Sequence, residues 1–180
     1  DELKVAFAFL LTMPGAPFIY YGDEIGLRYV ENLVSVEGGY SRTGSRSPMQ
    51  WNHGVNLGFS NASPEKLYIP TDDNPNSPTV EDQMKDPNSL YYEVKKLIAL
   101  RREHSALLSD GDIEFVSDGA DGSPLAYIRS SADEKILVVV NPADREAVLN
   151  VPGDWKETLY EIGGAVVVED GKIVDRKSVV

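Results

Sequence analysis

Met13-Pro14-Gly15-Ala16-Pro17-Phe18-Ile19-Tyr20-Tyr21-Gly22-Asp23-Glu24-Ile25-Gly26 is the stretch whose reading decides the fold. Proline lacks the amide hydrogen a helix needs, and glycine takes left-handed geometry at little steric cost, so Pro14-Gly15 ends any helix before it. Pro17 to Tyr21 then reads as a strand. Phe18, Ile19, Tyr20 and Tyr21 form an unbroken aromatic and β-branched run, the pattern of a parallel strand covered on both faces. Gly22 ends that strand. Asp23 and Glu24 follow, placing two carboxylates at its carboxyl end, the edge where α/β sheets and barrels hold ligands.

Upstream, Glu2 to Thr12 is helical in pattern, and Leu3, Val5, Phe7, Phe9, Leu10 and Leu11 leave almost no polar face after Lys4. A helix of that kind is expected to be covered by other protein. It reads as the tail of a longer helix, packed on a sheet that lies mostly outside this chain. Downstream, Gly26 to Pro78 sustains neither helical nor alternating periodicity over about fifty residues, far beyond an ordinary connection. Tyr29, Tyr40, Trp51, Phe59 and Tyr68 mark it as an ordered loop rather than a disordered one. Thr79 then reads as a helix cap before Val80-Glu81-Asp82. Asp86-Pro87 opens a second helix to about Glu103, with Leu90, Tyr91, Val94, Leu97, Ile98 and Arg101 on one face and Glu93, Lys96 and Glu103 outward.

After Ser109 the period changes to two. Candidate strands are Ile113–Val116, Leu125–Arg129, Ile136–Asn141, Ala147–Val151, Thr158–Ile162 and Val166–Glu169 with Lys172–Val174, punctuated by turn signals that include Asp170-Gly171. Regular short strands of this kind predict an antiparallel β-sandwich. The expected division is 1–108 for the α/β part and 109–180 for the all-β part.

The chain has 180 residues, too few for a whole eight-stranded barrel, which needs about 250. With 42% hydrophobic and 26% charged residues it has globular composition, and no run of about 20 apolar residues offers a membrane span. The net charge of −12 disfavours nucleic acid and anionic membrane surfaces as partners. The absence of cysteine removes disulfide and thiol chemistry. Compartment is left open between cytoplasmic and secreted.

Three segments carry a family resemblance. Pro14 to Gly26 resembles the last barrel strand of the α-amylase family, glycoside hydrolase family thirteen. Ser45-Arg46-Ser47-Pro48-Met49-Gln50-Trp51 is similar to the Arg-Thr-Pro-Met-Gln-Trp segment of α-glucosidases, oligoglucosidases and trehalose synthases. Gln83 to Arg102 resembles that family's closing helix. The resemblance implies a carboxy-terminal fragment: the final βα segment of an incomplete (β/α)8 barrel, its substrate-side loop and a sandwich. It further implies retaining hydrolysis of α-linked glucose oligosaccharides in the intact enzyme, as in an α-glucosidase or α-amylase. A trehalose synthase or other transglycosylase is the alternative. A non-catalytic carbohydrate-binding or structural module is the rival from another class.

A retaining glycosidase sets two carboxyl groups about 5–5.5 Å apart. Adjacent residues on extended backbone point to opposite faces, which makes Asp23 and Glu24 a poor catalytic couple. In the family the nucleophile, the acid/base and the stabilising carboxylate come from earlier strands, and no position here matches those motifs. No catalytic residue is therefore assigned, and the fragment alone is expected to be inactive. Asp23, Glu24 and Gln50 are expected to support the loop through hydrogen bonds or an ion pair.

Arg46, a planar fork of donors suited to sugar hydroxyls, is the candidate substrate-binding residue. The alternative is a salt bridge from Arg46 to Asp23 or Glu24. Trp51 either stacks on a sugar face or anchors the loop. His53 and His104, the only histidines, make no metal set or triad between them. Asp72-Asp73-Asn74 and Asp118-Gly119-Ala120-Asp121-Gly122 offer oxygen donors for calcium without following a spaced calcium loop. No metal or cofactor is assigned. The expected partners are an α-glucan or maltooligosaccharide substrate in the intact enzyme and the amino-terminal part of the barrel. On the sandwich, Phe115, Tyr127, Trp155 and Tyr160 look dispersed rather than coplanar.

Overall fold

A computed structural model describes residues 2–141, 146–151, 153, 155–163, 166–169 and 172–176; the side chains of residue 121 and of the last two strands lie outside that description. The elements are α1 (Glu2–Thr12), α2 (Val80–Lys85), α3 (Leu90–Glu103), β1 (Asp112–Asp118), β2 (Leu125–Ser130), β3 (Lys135–Val140), β4 (Glu146–Asn150), β5 (Val166–Glu169) and β6 (Lys172–Arg176). Two compact units result, one formed by Asp1–Pro17 with Val94–Val180, the other by Phe18–Glu93.

In the first unit, β1, β2 and β3 form an antiparallel sheet in that order, and β4, β6 and β5 form a second. Strand β4 alternates cleanly, with Ala147 and Leu149 inward and Glu146, Val148 and Asn150 outward, as a strand with one wet face should. Ala126 of β2, Val139 of β3, Leu149 of β4 and Val151 pack into one core, with Trp155 against it. Residues from both sheets thus share an interior, which is the sandwich. A bulge between Phe115 and Ser117 shifts the register of β1 against β2. The Asp170-Gly171 turn lies outside the described residues, but β5 and β6 pair antiparallel up to Glu169 and Lys172.

Helix α1 buries Phe7, Ala8, Leu11 and Thr12. Thr12 Oγ1 donates back to the Ala8 carbonyl at 2.7 Å and lies 2.6 Å from the Tyr127 hydroxyl of β2. Gly15, at φ 86°, turns the chain after it, and its amide donates to the Ser109 carbonyl. At the far end of α3, His104 Nδ1 lies 2.5 Å from Glu134, whose other oxygen accepts the Ala106 amide at 3.1 Å. Burial pushes the Glu134 pKa up, but these hydrogen bonds outweigh it and hold the carboxyl below its ordinary value.

The second unit carries the long connection. Between Gly26 and Pro78 it contains only short 3-10 turns and one isolated bridge, Ser35 to Gly38. Helix α2 starts where Thr79 Oγ1 accepts the Asp82 amide at 3.1 Å, a side-chain cap in the expected place.

Three expectations need correction. Pro17–Tyr21 is irregular rather than a strand, and Phe18 is 90% exposed with Tyr20 and Tyr21 half exposed. Strand identity depends on a ladder, and no strand among the described residues pairs with this segment. Thr158–Ile162 likewise forms no strand; only Ile162 makes a bridge. On α3, Glu93 is buried and Ile98 exposed, the reverse of the periodic reading, because neighbouring structure rather than the sequence period alone decides which flank of a helix is covered. That helix begins at Leu90, after Asp86-Pro87 has formed a separate turn in which Asp86 Oδ1 accepts the Asn88 amide.

Candidate functional site

The Ser45–Trp51 segment is built around four consecutive buried residues, Ser47, Pro48, Met49 and Gln50. Backbone hydrogen bonds fix its carboxyl end. Gln50 O accepts the Val80 amide and Trp51 O the Glu81 amide, each at 3.0 Å, while the Trp51 amide donates to Leu57 O at 2.8 Å. The Tyr21 hydroxyl donates to Ser47 O at 3.1 Å. The turn before the segment, Thr43–Arg46, requires Gly44, since a Cβ there would lie 2.3 Å from the Val30 carbonyl oxygen and 2.7 Å from the Tyr29 ring. Burying Ser47 to Gln50 leaves the two large flanking side chains, Arg46 and Trp51, toward solvent.

Arg46 ends its 3-10 turn exposed, and among the described residues it makes no ion pair or hydrogen bond. Its charge lies close enough to Tyr21 to favour the phenolate slightly. Burial and the adjacent Tyr20 dominate, so the Tyr21 pKa is raised overall. The rings of Tyr20 and Tyr21 sit 4.5 Å apart. Trp51 is 49% exposed. Gln50 is fully buried, and neither its side-chain nitrogen nor its oxygen has a partner among the described residues; the same holds for Ser47 Oγ.

Asp23 and Glu24 do not sit on extended backbone. They begin a 3-10 turn, Asp23–Ile25, and fold back on the chain before it: Asp23 Oδ2 accepts the Tyr20 amide at 2.9 Å and Glu24 Oε2 accepts the Gly22 amide at 2.8 Å. Neither carboxylate pairs with Arg46. The structure therefore brings Arg46 beside Tyr21 and Ser47, with Asp23 and Glu24 shaping the Tyr20–Gly22 backbone that presents Tyr21.

Two other groupings have definite partners. Arg28 donates to both oxygens of Asp72, at 2.6 and 2.7 Å, and the Asp72 side chain has no exposure. That bidentate pair holds the Asp72 carboxyl down at about 2. Asp72 is thus committed to an arginine. Asp118 Oδ1 accepts the Ala120 amide, while the Asp121 side chain lies outside the description. Among the described residues no three His, Cys, Asp or Glu side chains gather as a metal site.

Sequence reasoning missed the contact between His53 Nε2 and Asp82 Oδ2, 2.6 Å apart, in which Asp82 also accepts from Thr79 Oγ1 at 2.8 Å. Hydrogen bonds from Thr79 first and His53 second lower the Asp82 pKa. Thr79 and Asp82 at cap spacing were readable; the histidine that joins them was not.

Residues 1–111 match the family model "Alpha amylase, catalytic domain". The chain belongs to the α-amylase family. Residues 113–169 match "Maltogenic Amylase, C-terminal domain". Among curated relatives, the glucan 1,6-α-glucosidase of Streptococcus pneumoniae is 33% identical over 97% of this chain and 37% of its own length. A trehalose synthase of Pimelobacter is 36% identical over 78% of the chain and 25% of its own length. The oligo-1,6-glucosidase of Parageobacillus thermoglucosidasius is 28% identical over 80% and 30%. The trehalulose synthase of Pseudomonas mesoacidophila superposes with a TM-score of 0.80 at 25% identity, covering 99% of this chain and 37% of that one. The chain thus spans between a quarter and 37% of the length of these α-amylase-family relatives. It is similar both to glucosidases and to trehalose and trehalulose synthases.

Proposed function

We propose that this chain is the carboxy-terminal segment of a retaining glycosidase acting on α-linked glucose oligosaccharides, of the α-glucosidase or α-amylase type. The chain's membership of the α-amylase family, through a match to its catalytic-domain model, supports reading the parent as a glycoside hydrolase. The finer reading rests on one observation: Arg46 stands exposed and unpaired beside Tyr21, while the four residues after it are buried and fixed. An arginine held on a rigid base with its donors free suits bidentate recognition of sugar hydroxyls. In this reading Trp51 offers an apolar ring face on the same segment, while the Asp23 and Glu24 carboxylates and the Gln50 backbone carbonyl hold the loop in shape.

The carboxylates of the displacement would come from protein outside this chain. Asp23, Glu24, Asp72 and Asp82 are each engaged by a backbone amide, an arginine or the Thr79 hydroxyl. The exposed Phe18–Tyr21 run and the bare flank of α1, with Leu3 and Phe9, supply the apolar surface that the remaining barrel would cover.

A trehalose synthase is the second reading, favoured by the 36% identity to the Pimelobacter enzyme. One experiment separates them. The 180-residue chain and the longer protein carrying it are incubated with isomaltose, maltotriose and maltose, and the products are followed by proton NMR. The expected result is glucose released first as the α-anomer by the longer protein and no turnover by the chain. Trehalose formed from maltose selects the second reading. Turnover by the chain alone overturns the placement of the carboxylates.

A further inference from the structure

We propose that the sandwich-bearing unit holds a second saccharide site, apart from the Arg46 loop, in a cavity walled by Trp155 and Tyr160. Its volume is about 570 Å³, inside the range of about 300–1,000 Å³ that small-molecule sites occupy. Leu107 and Val138, both buried, form its apolar base together with Leu100 and Ile136. The two aromatics come from Trp155–Tyr160, an extended stretch with no regular structure, which is why they look dispersed in the sequence.

The rim decides the ligand class. Asp133, Lys135, Lys156 and Glu157 line the cavity and are all exposed. Two carboxylates and two ammonium groups leave no single-sign field to hold an ion: an anion would meet the carboxylates and a cation the lysines. His104 and Glu134, also in the lining, already bind each other. An occupant with one apolar face and many hydroxyl groups satisfies every part of this surface. Its C–H face covers the indole, and its hydroxyls donate to carboxylates and accept from ammonium groups.

The neutral-sugar chemistry stands on the cavity alone; the choice of an α-linked glucose oligomer as probe rests on the function proposed above. Trp51→Phe leaves Trp155 as the sole indole in the chain. Maltotriose titrated to about 50 mM, a range that captures weak millimolar binding, is expected to shift Trp155 emission saturably. Saturation-transfer NMR reads the same binding from the sugar with the unaltered chain, so a poorly folding Trp51→Phe variant does not spoil the test. Asp133→Asn with Lys156→Gln, both exposed positions, is expected to weaken binding by about threefold or more through lost hydrogen bonds.

No saturable signal by either method overturns the site. So does a response matched by sorbitol, or binding indifferent to the rim substitutions. Cellobiose binding as tightly as maltotriose, with the same rim dependence, supports the site and counts against the α-glucan reading instead.

Discussion

Arg101 of α3 and Arg129 of β2 bring their guanidinium groups to the same helix end. Arg101 donates to the carbonyls of Leu11, Met13 and Gly15 at 2.6–2.8 Å. Arg129 donates to Thr12, Leu108, Gly111 and Asp112 carbonyls and has no exposure at all. The last carbonyls of a helix lack intrahelical partners and carry its negative dipole end, so two cations there answer both needs at once. Burial lowers both pKa values, and in Arg129 the nearby Arg101 charge lowers it further. The pair fixes the course of the chain from the end of α1 to Gly15.

Replacing Arg129 by methionine is therefore expected to destabilise the chain by about 2–4 kcal/mol, since carbonyls of three segments lose their donor in a buried place. Lysine should rescue little, because one ammonium cannot reach carbonyls that a planar fork bridges. Urea unfolding with far-UV detection measures both, and a loss below about 1 kcal/mol in Arg129→Met would contradict the bridging role.

The contact of Arg129 also marks where sequence legibility ends. Alternation made β2 and β4 readable, the Thr79 cap placed α2, and helical period placed α1 and α3. Period-two reading treats Arg129 as an ordinary polar position, yet it is fully buried, because the carbonyls that solvate it come from α1 and from the turn before β1. The same limit undid Pro17–Tyr21, whose strand-like composition has no ladder to join. At the candidate site, the motif located Arg46, but its unpaired state depended on Asp23 and Glu24 choosing backbone amides instead.

Asp72 titrates with a predictable sign. Its folded value of about 2, lowered by Arg28, lies below the unfolded carboxylate value of about 3.9. The stability it contributes is full above about pH 5 and is lost as pH falls toward 2. Asp72→Asn should lower Tm at pH 7 and flatten the acid limb, so that the two Tm values converge near pH 2. A constant gap between them across that window would show that the carboxylate charge is not what Arg28 recognises.

Gly44 is needed for space, not for an unusual backbone angle. An added methyl would lie 2.3 Å from Val30 O, a backbone atom whose residue donates its own amide to Gly44 O at 3.0 Å. Neither side can yield without breaking that contact. Gly44→Ala is expected to displace the turn carrying Arg42 and Arg46 and to speed tryptic cleavage there by on the order of tenfold. Cleavage at an unchanged rate would mean that the loop absorbs the methyl.

Arg46 is the position at which structure and function are most cleanly separable. Its side chain is exposed and has no described ion pair or hydrogen bond, so Arg46→Ala should change chain stability by no more than about 0.5 kcal/mol. If it orients the sugar, the same substitution in the longer protein removes donors that a bound hydroxyl otherwise uses, and kcat/KM should fall by roughly 10–100-fold. Arg46→Lys keeps the charge but loses the planar fork, so it should restore only a small part. Steady-state kinetics on isomaltose and maltotriose with all three proteins, alongside thermal melts, measure the two effects separately. A fall in Tm matching the fall in activity would move Arg46 from substrate recognition to loop support; unchanged melting with lost turnover would place its guanidinium on the substrate.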